Sequence, residues 1–101
     1  MLDVEKITIK ELFELGGLTH HTLNINNIIK HGLTKSHDFA LVRQDNKIVS
    51  IVEYSFNDDN IAEVICLHES NATKFIDEQE YNIKLSDFLR SEKRQEAKTY
   101  H

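Results

Sequence analysis

Three runs rich in β-branched and aromatic residues, separated by two short polar turns, constrain this chain more than any other feature. They are residues 39–43 (FALVR), 47–56 (KIVSIVEYSF) and 61–68 (IAEVICLH). Runs of this composition bounded by turn residues read as strands. Asp45-Asn46 tolerates positive φ and suits a two-residue hairpin turn, and Asn57-Asp58-Asp59-Asn60 is a polar four-residue turn. The prediction is an antiparallel meander.

Turn length sets the expected register. The first turn places Val42 opposite Val49 and Phe39 opposite Val52, and the second places Phe56 opposite Ile61 and Val52 opposite Ile65. One face then carries Phe39, Leu41, Ile48, Val52, Tyr54, Phe56, Ile61, Ile65 and Leu67. The other carries Ala40, Val42, Val49, Ile51, Ala62, Val64 and Cys66, with Glu53 and His68 on the same side. Both faces are apolar, whereas a two-layer α+β domain leaves one face polar. The second face is therefore covered by another segment or buried against something else.

Helices flank the meander. Thr8 and Glu11 form a capping box, with Ile7 and Leu12 as its hydrophobic staple and Gly16-Gly17 as a stop, so a helix runs from Ile9 to about Leu15. Ile25, Ile28 and Ile29 share a helical face. That helix starts at Asn24, with Leu23 and Ile28 as a staple, and ends at Gly32, although residues 18–26 read equally as helix or strand. Ser70-Asn71 caps a helix over residues 72–77 with Phe75 and Ile76 inward, residues 81–85 alternate like a short fourth strand, and Ser86 caps a last helix. The fold class is α+β: one domain over residues 1–101, with a three-stranded antiparallel meander, a short fourth strand as an option, three or four short helices, and a frayed tail at about residues 91–101.

Composition narrows the function. The single cysteine excludes an internal disulfide, no run of 18 apolar residues exists, and the N-terminus is acidic rather than signal-like, so a cytoplasmic protein without membrane contact is expected. Net charge is −5, the opposite of a basic nucleic-acid footprint. Protonating the six histidines would bring it to +1 (−5 + 6), and their role as pH switch or metal ligands stays open.

No phosphate loop, dinucleotide fingerprint, zincin motif or nucleophile elbow is present, and no enzyme activity or cofactor is expected. Cys66 and His68 share a strand face, and His20, His21, His31 and His37 are further candidate ligands. The spacing of a zinc site is missing, so no metal site is expected. Ser36-His37-Asp38 holds the residue types of a triad, but consecutive residues point apart, and Cys66 reads as a small buried hydrophobe.

The expected function is a small acidic non-catalytic protein-binding module, of the class that includes inhibitors, immunity proteins and phage-encoded counter-defence proteins. Its partner is another protein, or a second copy in a homodimer. Val42, Val49, Ile51, Val64 and Cys66 form the expected centre of the interface, with Asp58 and Asp59 beside it. The alternative is a helix-turn-helix-like DNA-binding regulator built on residues 9–47, contacting phosphates through Lys30, Arg43 and Lys47.

Overall fold

The computed structural model describes residues 1–16, 24–45 and 47–93. Four antiparallel strands form one sheet in the order β1 (Leu2–Ile7), β2 (Asp38–Gln44), β3 (Lys47–Phe56) and β4 (Ala62–Glu69). The helices are α1 (Ile9–Gly16), α2 (Ile25–Lys35) and α3 (Glu78–Ser91), with a 3₁₀ turn at Asn71–Phe75. The α+β class and the meander are as the sequence predicts. The fourth strand is not at residues 81–85. It is β1, which pairs Val4 with Val42 and Ile7 with Phe39 on the open edge of β2.

Local signals near the N-terminus act as predicted. The Thr8 amide donates to Glu11 Oε1 (3.1 Å) and the Glu11 amide to Thr8 Oγ1 (3.1 Å), closing the capping box. Asn24 caps α2, accepting from the Asn27 amide at 3.1 Å. The helix does not stop at Gly32, however. It continues to Lys35 and ends on Ser36 in the left-handed conformation (φ 57°), whose amide reaches back to the Gly32 and Leu33 carbonyls. Gly32 is instead a point of close approach, where a Cβ would collide with the Phe39 ring. Of residues 18–26, which read as helix or strand, residues 24–26 are the cap and first turn of α2, while residues 18–23, with the Leu23 staple, His20 and His21, lie outside the described residues, as does most of the expected tail.

Both sheet faces are covered by this chain. α1 and α2 bury Leu12, Ile25, Ile28 and Ile29 against Ile7, Phe39, Leu41, Ile48 and Ile51. On the opposite face Tyr81 and Leu85 of α3 pack on Ala40, Val42, Val49, Val52 and Tyr54. α3 occupies the stretch read as a fourth strand and a separate last helix. The Asp77 carboxylate caps it by accepting from the Gln79 amide (2.9 Å), and Ser86 lies inside it. Exposed Ile83 gave residues 81–85 their strand-like alternation, while Tyr81 and Leu85 stand one helical turn apart. Ser70 caps the 3₁₀ turn as expected, but Phe75 points outward, 83% exposed.

Two bulges correct the predicted register. Gln44 pairs with Lys47, as the two-residue turn requires, but between Arg43 and Val42 one residue of β3 is skipped, so Val42 faces Ser50, Ala40 faces Val52 and Phe39 faces Glu53. The second connection closes on Ala62 rather than Ile61, and after a further irregularity Val52 faces Leu67 rather than Ile65. A one-residue slip reverses every later side chain. Val52 and Tyr54 therefore face α3, while Ile51 and Glu53 face α1 and α2.

Candidate functional site

The bulge in β3 aims one charged side chain into the interior. Glu53 is 0% exposed, one of only two buried polar residues among those described, the other being Ser50. Ser50 is satisfied by a 2.8 Å hydrogen bond with the Tyr81 hydroxyl. A buried carboxylate is costly unless it is paired and hydrogen-bonded. Glu53 is met by three imidazoles from three parts of the fold.

His31 comes from α2, its Nδ1 lying 3.0 Å from Glu53 Oε1 and 2.8 Å from Oε2. His37 follows the left-handed Ser36, and its Nδ1 contacts Oε2. The His37 amide donates to the Gly32 carbonyl (3.0 Å), which ties the turn to the last coil of α2. His68 lies on β4, with Nε2 3.3 Å from Oε1. The backbone arranges this: Cys66 faces Glu53 directly across the ladder, and His68, two residues on, shares its side of the sheet. Cys66 Sγ stands 3.9 Å from His68 Nδ1. Gly32 lets α2 settle onto Phe39, the residue opposite Glu53 on β2, and so seats His31 above the carboxylate.

The cluster opens to solvent on one side. The His31 side chain is 51% exposed, those of His68 and His37 21% and 14%. Burial works to raise the Glu53 pKa. Hydrogen bonds with His37, His31 and His68, and the charge on His31, outweigh it and hold the carboxyl below its ordinary value. One ligand atom each from His31, His37 and Glu53 lie within 4.8 Å of one another. These two imidazole nitrogens and a carboxylate oxygen are donors suited to a first-row divalent transition metal, whose bonds to such ligands are about 2.0–2.2 Å; His68 touches Glu53 but stands outside this close group.

The chain matches no protein-family model, no curated protein and no solved structure.

The residues expected at a partner interface divide. Val42, Val49 and Ile51 are fully buried inside this chain, the first two under α3 and the third beside Glu53 on the other face. A side chain with no exposed surface cannot be the centre of a contact with another molecule. The apolarity of the second face is explained by α3. Val64 is 39% exposed and Cys66 half-buried on β4, and Asp58 and Asp59 are exposed in the β3–β4 turn.

The expected DNA contacts lie on three elements: Lys30 exposed on α2, Arg43 on β2 and Lys47 exposed at the start of β3. Arg43 is engaged by Glu5 at 2.7 Å and lines a cleft with Glu11 and Glu14, a negative setting that opposes a phosphate.

No ligand spacing joins His31, His37 and His68 in the sequence, and turn length alone sets Glu53 against neighbours other than Phe39 and Cys66. The signal in the sequence is a glutamate at an otherwise apolar strand centre, on the same side as Cys66 and His68.

Proposed function

We propose that this protein binds one divalent first-row transition metal ion, of which Zn(II) is the reference case, through His31, His37 and Glu53, with His68, whose Nε2 already reaches Glu53, closing onto it as a fourth ligand. One observation carries the reading: a fully buried carboxylate on which three imidazoles from α2, the α2–β2 turn and β4 converge. A carboxylate offers about four lone-pair sites, so three imidazoles can donate to it at once. What hydrogen bonding leaves uncompensated is charge: neutral rings leave the buried negative charge in place, and full protonation would crowd three positive charges around it. A divalent cation instead takes a lone pair from each ring and neutralises the carboxylate in the same step. The exposed side of His31 provides the way in.

The test is calorimetry and metal analysis on the purified full chain. The expected result is one Zn(II) per chain, lost or weakened at least tenfold in Glu53→Gln and His37→Ala. A wild-type chain that takes up no stoichiometric metal, or variants that bind as wild type does, would overturn the reading.

A separate observation favours a second reading. β4 is an edge strand with Val64, Ile65 and Leu67 exposed, beside the acidic turn carrying Asp58 and Asp59. This supports a small acidic binding module, acting in the cytoplasm as inhibitors and immunity proteins do, whose β4 edge takes another protein chain, a second copy of itself included. No enzyme activity is proposed. Affinity capture from nuclease-treated lysate is expected to retain a protein on the wild-type chain and lose it on Leu67→Lys. Retention only without nuclease would point to DNA instead.

A further inference from the structure

We propose that two copies of this chain pair edge to edge through β4, and that Glu63 of each copy supports His68 of the other. The second part rests on the metal reading above.

The two edges of the sheet differ. β1 shows solvent Asp3, Glu5 and Lys6, charges that discourage strand pairing, and Glu5 is further held by Arg43. Among the described residues β4 pairs with β3 alone, and it exposes Val64, Ile65 and Leu67. A row of open backbone groups flanked by apolar side chains is a template for another strand.

The sequence of β4 is self-complementary about a two-fold axis. Antiparallel pairing of the strand with itself about an axis through Cys66, with Ile65 as the extra residue of the β4 irregularity, sets Val64 opposite Leu67 and Glu63 opposite His68. Residues directly opposite in an antiparallel pair share a face. Val64 faces Tyr54 and Leu67 faces Val52, which puts both on the α3 side, whereas Glu63 faces Ser55 and His68 faces Ile51, which puts both on the α2 side. Apolar therefore meets apolar and acid meets imidazole, twice over. The irregularity in β4 is what allows this: without Ile65 as an extra residue, Val64 and Leu67, and likewise Glu63 and His68, would lie on opposite faces.

The pairing also supplies what His68 lacks. A metal-bound imidazole usually donates its other ring N–H to a carboxylate or carbonyl. With Nε2 turned to the Glu53 site, His68 Nδ1 has Cys66 Sγ at 3.9 Å, a weak acceptor. Glu63 uses Oε1 to accept from Asn57 (2.6 Å), which leaves its second oxygen for the facing His68 of the other copy.

The experiment is the solution mass of the full chain by light scattering, with and without Zn(II), joined to cross-linking by a short bismaleimide at Cys66, the only cysteine. The expected mass is twice the 11.8 kDa chain, with Cys66 joined to Cys66 of the second copy. Leu67→Lys is expected at single-chain mass with no cross-link and an unchanged circular dichroism spectrum. Glu63→Gln is expected to weaken Zn(II) binding about tenfold, the usual effect of removing such an outer partner. A wild-type chain that stays at single-chain mass to about 1 mM and does not cross-link overturns the pairing, even if Leu67→Lys fails to fold. A dimer whose Zn(II) affinity is unmoved by Glu63→Gln overturns the support of His68. Failure of all Zn(II) binding in a wild-type dimer overturns the metal reading and the His68 support together and leaves the pairing standing.

Discussion

Gly32→Ala tests how the core positions the site. In an ordinary helix the change stabilises by about 1 kcal/mol, because alanine loses less backbone freedom on folding. Here the added methyl meets the Phe39 ring. Phe39 is 1% exposed and belongs to the cluster formed by Ile7, Leu12, Ile28, Ile29 and Ile51, so the ring has no open space to rotate into. Overpacking of this kind costs about 1–3 kcal/mol. The clash wins on balance, and the net loss is about 1 kcal/mol. For a domain of about 100 residues that lowers the melting temperature by about 4–8 °C. Thermal and urea unfolding of the two chains give the number. Phe39→Leu, which shortens the obstructing ring, should make the same glycine substitution neutral or stabilising, so the double-mutant cycle carries a coupling of about 1 kcal/mol or more. α2 must also lift from the sheet, carrying His31 away from Glu53, and Zn(II) affinity should fall with stability. A Gly32→Ala chain that melts higher than wild type would refute the reasoning, because it would mean that α2 and Phe39 do not touch as described.

Further outcomes follow from other contacts. The Glu53 carboxyl titrates below its unfolded value of about 4.3, so in the metal-free chain its contribution to stability is present above that pH and is lost as pH falls toward the lower folded value; the acid limb of a stability–pH curve should be steeper for wild type than for Glu53→Gln. Tyr81→Phe strands the buried Ser50 hydroxyl and should cost about 1–3 kcal/mol by urea unfolding, while adding Ser50→Ala should recover part of the loss. Thr8→Ala removes the cap that holds the Glu11 amide and should cost about 1 kcal/mol by the same measurement.

What was legible in the sequence was local. The Thr8–Glu11 box, the Asn24 and Ser70 caps and the three central strands each depend on residues a few positions apart, whose chemistry acts whatever the rest of the chain does. β1 was not legible, because Asp3, Glu5 and Lys6 leave it little apolar pattern and it becomes a strand only by pairing with the open edge of β2. α3 was misread because exposed Ile83 interrupts the spacing of Tyr81 and Leu85, and their helical face becomes visible only against the sheet that buries them.

The sequence by itself determined an acidic α+β chain with an antiparallel meander and more apolar sheet surface than two layers can hide. Tertiary structure decided which segment covers that surface and which side chains meet. A bulge is one extra residue in a ladder, set by the packing of both sheet faces rather than by turn length, and it turned Glu53 toward α2 and Tyr54 toward α3. His31, His37, Glu53 and His68 span 38 positions of sequence, and no spacing rule joins them. They meet because β4 runs antiparallel beside β3 and because Gly32 lets α2 close onto Phe39.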